Sequence, residues 1–252
     1  MDRTSISELA HAEHPVASPL NDDTVDRLLD QALRGQRSVL DLGCGDGTWL
    51  LRALRRHPQL RAVGVDISGV GFARVRDEAQ RAGLAGRLEL HQADARDWTS
   101  HERFDVVLNI GATHAFGGLV QTLTAAREQL RPGGCVLVGE CFWERPPSAE
   151  VLSLLGAGLD DYEDLSGTVD AVTAAGWLPL QGHVSSPQEW DAYEWSWTGS
   201  LTRWAVAHPH DPDCREVLQT AAEHRHAWLE GYRGTLGFVS LLLAPLPPHL
   251  ST

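Results

Sequence analysis

Val39-Leu40-Asp41-Leu42-Gly43-Cys44-Gly45-Asp46-Gly47, followed by the apolar-periodic run from Thr48 to Leu54, decides the fold of this chain. It reads as a β-strand that breaks into a glycine loop and then opens a helix. In α/β proteins this places a loop at the carboxyl end of a strand, where nucleotide-like ligands are held. Gly43, Gly45 and Gly47 permit positive φ and bring the backbone close to a ligand that a Cβ would strike. Three kinds of loop compete. A phosphate loop of the GxxxxGK[ST] type needs a lysine, and the chain has none. A dinucleotide loop of the GxGxxG type needs its third glycine at 48, where the residue is Thr. The spacing present is acid-x-Gly-x-Gly-x-Gly.

Outward from the loop, short β-branched runs alternate with amphipathic segments. Strands are expected at 38–42, 61–66, 87–91, 103–109 and 134–140, with helices at 47–57, 69–82 and 117–130. That alternation predicts a parallel sheet covered on both faces. Helices are also expected at 5–12 and at 22–33, the second with Asn21 as its N-cap, and near 148–156 and 165–175. A sixth strand is expected around 177–184 and a seventh over 234–244. Between them, residues 187–233 are tryptophan-rich and helical in pattern.

With the loop, Asp66 at the end of the second strand, Asp94 just past the third and the Pro132-Gly133-Gly134 turn on the page, residues 37–145 resemble the class I S-adenosylmethionine-dependent methyltransferases. The resemblance implies a Rossmann-like seven-stranded α/β sheet with helices on both faces, an antiparallel last strand and a helical insertion before it. Residues 1–36 are then an N-terminal helical cap, and 37–252 the methyltransferase domain with a lid at about 187–233.

The cofactor implied is S-adenosyl-L-methionine. The resemblance places Asp41, Gly43, Cys44 and Gly45 of the loop against it, together with Ile67 beside Asp66. A carboxylate at Asp66 can accept from a ribose diol, a role shared with dinucleotide proteins. Asp94 and Ala95 correspond to the acid and amide that meet the adenine. Asn109 and Gly111 lie near the methionine part, because Asn109-Ile110-Gly111-Ala112 lacks the two prolines of the amino-group enzymes that act on DNA or glutamine side chains. The proline-free turn resembles small-molecule methyltransferases and points to an oxygen or nitrogen acceptor, aromatic or heteroaromatic if the insertion lines its site.

Proton removal from the acceptor calls for a base near neutrality. His114, after the fourth strand, is the first candidate, with a helix-capping or loop-ordering role as the alternative. Glu140, at the end of the fifth strand, is the second, with an anchoring role as its alternative. For acceptor binding the candidates are Trp143, His14 in the N-terminal segment, and Trp190, Tyr193 and Trp197, which share a helix face with Leu201 and Trp204. Such a stripe also serves simple packing. Glu189 and Glu194 could add polar contacts.

A formal net charge of −13 disfavours nucleic acid, which is bound through basic surfaces. The missing lysine excludes Schiff-base chemistry. Four separated cysteines without a CxxC pair argue against a disulfide scaffold or a cysteine zinc site, and no metal is expected. His208-Pro209-His210-Asp211-Pro212-Asp213-Cys214 carries ligand residue types, but its two prolines favour a loop, and His224 and His226 are two apart and so cannot chelate together. No apolar run approaches the ~18 residues of a membrane span. The expectation is a soluble cytoplasmic enzyme whose partners are a small-molecule acceptor and, in a homodimer, a second copy. Two other classes stay open: a non-catalytic S-adenosylmethionine-binding regulator and a nicotinamide-dependent oxidoreductase.

Overall fold

A computed structural model describes residues 1–247 and 249 of the chain. Its elements, in order, are α1 (Arg3–Ala10), α2 (Asp22–Leu33), β1 (Ser38–Leu42), α3 (Thr48–Arg56), β2 (Arg61–Asp66), α4 (Phe72–Arg81), β3 (Leu88–Gln92), β4 (Phe104–Ile110), α5 (Leu119–Gln129), β5 (Leu130–Trp143), α6 (Ala149–Leu155), α7 (Leu165–Ala174), β6 (Trp177–Val184), α8 (Pro187–Ala207), α9 (Cys214–His226) and β7 (Leu236–Pro245). A π-helical turn, Ala227–Tyr232, follows α9.

The seven strands form one sheet in the order β3-β2-β1-β4-β5-β7-β6. β1 pairs in parallel with β2 and β4, β2 with β3, and β4 with β5, whereas β6 and β7 run antiparallel. Strand order reverses direction between β1 and β4. Right-handed crossovers on either side of that point carry α3 and α4 to one face and α5 to the other. The β1/β4 carboxyl ends therefore open a crevice, and the glycine loop lies there. The expected Rossmann-like sheet with an antiparallel last strand is present, and helical segments precede β7.

The core explains why the strands read as continuous apolar runs. Val39, Leu40, Val65, Val106, Val107, Leu108, Val136 and Leu137 are at most 0% exposed, as a strand covered on both faces requires. One strand differs from expectation. β5 begins at Leu130, and its register to β4 shifts between Phe104↔Leu130 and Val106↔Cys135, so Pro132 and Gly133 lie in a bulge inside the strand rather than in a turn before it. Proline cannot donate to a ladder, and the bulge removes it from one.

Two compact units make up the chain. The sheet unit comprises Asp22–Cys141, Leu165–Val184 and the chain from Val239 on; the helical unit comprises Met1–Asn21, Phe142–Asp164 and Ser185–Phe238. α2 thus goes with the sheet, whereas the sequence pattern grouped it with a cap over 1–36. The cause is an arginine ladder: Arg52 on α3 binds Asp22 and Asp26, and Arg56 binds Asp26 and Asp30. In the helical unit, α8 and α9 pack around Leu201, Ala205, Val217 and Ala221, with Ala10 of α1. α8 starts on a capping box in which Ser186 and Glu189 satisfy each other's backbone amides.

Candidate active site

The loop is fastened before any ligand arrives. The Gly43 and Cys44 amides donate to the Val65 carbonyl at 2.8 and 3.1 Å, and the Gly45 amide donates to Asp66 Oδ2 at 2.8 Å. The other Asp66 oxygen accepts from the Ser68 amide at 2.8 Å. One carboxylate therefore ties the tip of the loop to the end of β2, with acceptor capacity to spare on both oxygens. Two glycines are obligatory for different reasons. Gly43 has φ +84°, and a Cβ there would stand 2.5 Å from the Ala112 Cβ. Gly45 has φ +56°, with nothing within 4 Å of where its Cβ would be, so its backbone faces open space.

Around this tip, Ile67 is 72% exposed, an apolar side chain left uncovered beside Asp66. Asn109 is fully buried; its Nδ2 donates to the Leu42 carbonyl at 2.7 Å, and its Oδ1 is buried with no partner. Asp41 is buried below the loop, and its carboxyl is pushed up to about 7, first by burial and then by the charge of Asp66. Burial also raises the Cys44 thiol, which keeps it protonated and inert. Asp94 receives the Arg96 amide and guanidinium, both at 2.9 Å, and that pairing holds its carboxyl below the usual range. Ala95 beside it is buried. The Gly111 amide donates to the Gly139 carbonyl at 3.0 Å.

The two proposed bases differ in their setting. His114 sits in a short 3₁₀ turn, Thr113–Phe116, and is exposed, with no hydrogen-bond partner for its ring among the described residues. Glu140 is buried at the end of β5. Its carboxyl is raised by burial, and opposed by hydrogen bonds from Thr113 and from the Cys141 amide at 2.9 Å. Thr113 thus connects the turn that carries His114 to the strand that carries Glu140.

In the helical unit, the tryptophan stripe divides. Trp197 and Trp204 pack on the Leu201 core, and Trp197 also stacks on His224 with centroids 3.8 Å apart. Trp190 meets Tyr193 and Tyr232 edge-on, and its Nε1 is buried without a partner. Tyr193 bonds His11 at 3.1 Å and takes the edge of His14, whose Nε2 is 2.9 Å from the Ser18 carbonyl. Trp143 donates its indole N–H to the Leu159 carbonyl at 3.0 Å and packs on Tyr162. Glu189 is held by its capping box and by the Asn21 amide, which explains its burial without a ligand. His208 bonds the Trp204 carbonyl and stacks on Trp204, so it ends α8. Among the described residues no group of three or more His, Cys, Asp or Glu side chains is arranged to hold a metal ion.

One constellation escaped sequence reasoning. Glu194, 2% exposed, binds His224 Nε2 through one oxygen and the Tyr232 hydroxyl through the other, both at 2.7 Å. Its members are 30 and 38 residues apart along the chain, so no local spacing announces it. The only signal was an acid placed midway through an aromatic helix.

Residues 39–134 match the family model described as a methyltransferase domain. A crystal structure of a S-adenosylmethionine-dependent methyltransferase from Geobacter sulfurreducens, in complex with S-adenosyl-L-homocysteine, superposes with a TM-score of 0.86 at 27% identity, covering 96% of this chain and 98% of that one. The chain is a class I S-adenosylmethionine-dependent methyltransferase. An uncharacterised Escherichia coli protein, YjhP, is 28% identical, over 86% of this chain and 88% of its own. The ubiquinone biosynthesis O-methyltransferase of Cereibacter sphaeroides is 28% identical, over 72% of this chain and 76% of its own. The residues at the loop fit the cofactor of this methyltransferase class. The free acceptor capacity of Asp66 suits a diol, the exposed Ile67 suits the face of a planar ring, and the orphaned Asn109 Oδ1 suits a donor from the ligand.

Proposed function

We propose that this methyltransferase delivers the methyl group to an oxygen or nitrogen of a small molecule, and that His114 and Glu140 serve the acceptor. The observation that carries the reading is the linked pair near the ends of β4 and β5: an exposed imidazole and a buried carboxyl, raised by that burial, joined through Thr113. S-adenosylmethionine supplies a sulfonium-activated methyl group that needs no further activation. What remains for the protein is alignment of the acceptor and removal of its proton. A neutral imidazole offers one ring nitrogen as a proton acceptor, and at His114 the ring is exposed to an incoming acceptor. A carboxyl raised by burial can hold an acceptor hydroxyl or amine in either protonation state.

Cofactor contacts are assigned to Asp41, Gly43, Cys44, Gly45, Asp66, Ile67, Asp94, Ala95, Asn109 and Gly111. Acceptor recognition is assigned to His14, Trp143, Trp190, Tyr193 and Trp197, of which Trp190 is the best supported because its buried indole N–H has no protein partner. The Cereibacter relative, named for O-methylation in ubiquinone biosynthesis, supports an oxygen acceptor on a small molecule. The formal charge of −13 supports a non-nucleic-acid substrate, and four free thiols support a reducing, cytoplasmic setting.

The test is a metabolite screen with isotopically labelled methyl donor. Label recovered on an oxygen or nitrogen of a small molecule is the expected result. A chain that binds S-adenosylhomocysteine yet labels nothing would be a non-catalytic binder.

A further inference from the structure

At the opposite end of the parallel strands from the glycine loop lies a recess of about 450 Å³ within the sheet unit. Its walls carry four arginines, Arg37, Arg61, Arg87 and Arg131, and two acids, Glu89 and Glu102. The arginines follow from the register. Arg37 directly precedes β1, Arg61 opens β2 opposite Ser38, Arg87 directly precedes β3, and Arg131 is near the start of β5. Strand order therefore sets them in a row along the amino-terminal edge, and the Arg61 amide donates to the Arg37 carbonyl at 2.8 Å.

They are not equivalent. Arg87 donates to the carbonyls of Leu54, His57 and Leu60, closing the end of α3, and Arg131 pairs with Asp105 at 3.2 Å. Asp105 also receives the backbone amides of Arg37 and Ser38 and the Ser38 hydroxyl. Among the described residues the guanidinium groups of Arg37 and Arg61 have no partner. Two like charges lining one recess repel one another, and an oxyanion between them removes the repulsion. A guanidinium presents paired N–H donors that match two oxygens of such a group.

We propose that this recess binds the phosphate of a small hydroxylated metabolite, with Arg37 and Arg61 on the phosphate and Glu89 and Glu102 accepting from its hydroxyls. The lining carries more cationic than acidic groups in a chain whose net charge is −13, so the field is local. The volume suits a metabolite rather than a polymer. The site is separate from the cofactor loop: Arg37 and Gly43 bracket the five residues of β1, which span roughly 16 Å.

Ribose 5-phosphate, inorganic phosphate and succinate, titrated calorimetrically into the whole chain, test the assignment. Saturable binding of ribose 5-phosphate is expected, tighter than inorganic phosphate and much tighter than succinate. Arg61→Gln and Arg37→Gln should each weaken it by about 10-fold, and the double variant should abolish it. Glu89→Gln with Glu102→Gln should weaken ribose 5-phosphate while leaving inorganic phosphate unchanged. S-adenosylhomocysteine affinity, measured on each variant, should stay at the parent value and so reports an intact fold. The proposal is overturned if ribose 5-phosphate fails to bind, if it binds the double arginine variant undiminished, or if succinate binds best. Should a glutamine variant fail to hold S-adenosylhomocysteine, Arg61→Lys, which keeps charge but loses the fork, takes its place with the same expected weakening.

Discussion

The carboxyl edge of the sheet unit and the aromatic helices of the helical unit use their polar groups in opposite ways. At the sheet edge, groups are fastened to the backbone and still have capacity left over: Asp66 holds Gly45 and Ser68, Asn109 keeps a buried oxygen free, and His114 is open. In the helical unit, the polar groups largely satisfy one another, as Glu194 does with His224 and Tyr232, and Trp143 with Leu159. Buried polar groups without partners are costly, so surplus capacity in a folded chain marks a place where a ligand completes the set. Satisfied networks instead fix side-chain positions. Exceptions in the helical unit are Trp190, Trp228, Ser185 and Ser200, and of these Trp190 leads the acceptor assignment because its ring also meets Tyr193 and Tyr232 edge-on.

The largest expected effect breaks the sheet-edge half of this contrast. Gly43→Val puts a branched side chain at φ +84° and into Ala112, and S-adenosylhomocysteine binding should fall by more than about 100-fold in calorimetry. An affinity within a few-fold of the parent would show that the loop does not hold the cofactor.

Next comes Asp41. Its folded pKa of about 7 lies above the unfolded value near 3.8, so the folded state binds more protons between those limits. Its stabilising contribution is complete below the unfolded value and is lost as pH rises through about 7. Asp41→Asn removes that dependence. It should raise the melting temperature at pH 8, by up to roughly 4 kcal/mol of stability, and change little at pH 4. An equal shift at both pH values would rule out a buried ionisation at this site.

Smaller, and specific to chemistry, is His114→Ala. Turnover on the identified acceptor should drop by about 100-fold with cofactor affinity unchanged, since the exposed ring supports nothing around it. A parental rate would reduce His114 to a loop residue. Smallest is Tyr232→Phe, which removes one hydrogen bond to the buried Glu194 carboxylate and leaves the other. Chemical denaturation should report a loss of about 1–3 kcal/mol, with S-adenosylhomocysteine affinity intact. A collapse of cofactor binding instead would mean that the two units do not divide the work as described.

Much of the sheet unit was legible because each residue's role there is set by its neighbours in sequence. Alternation of period-two and period-3.6 patterns located the strands, and the loop, Asp66 and Asn109 each sit at a strand end that the pattern marks. The bulge in β5 was misread because Pro132-Gly133 carries the same signal in a turn as in a strand interruption. The grouping of α2 with the sheet had no local signature, because its partners, Arg52 and Arg56, lie beyond β1. In the helical unit, periodicity located the aromatic face of α8 but could not separate Trp190 and Tyr193 from the packed Trp197 and Trp204. That division depends on which residues of α1, α9 and the π-helical turn arrive opposite each of them. Asp94 shows the same limit at short range, because a carboxylate that reads as a ligand contact also pairs with Arg96 two residues on.

The most direct test of the account is a calorimetric titration of the intact chain with S-adenosylhomocysteine and, separately, with NAD. One-to-one binding of S-adenosylhomocysteine, abolished by Gly43→Val, with no heat from NAD is the result the spare capacity at Asp66 and Asn109 predicts. Saturable NAD binding with no response to S-adenosylhomocysteine would contradict it.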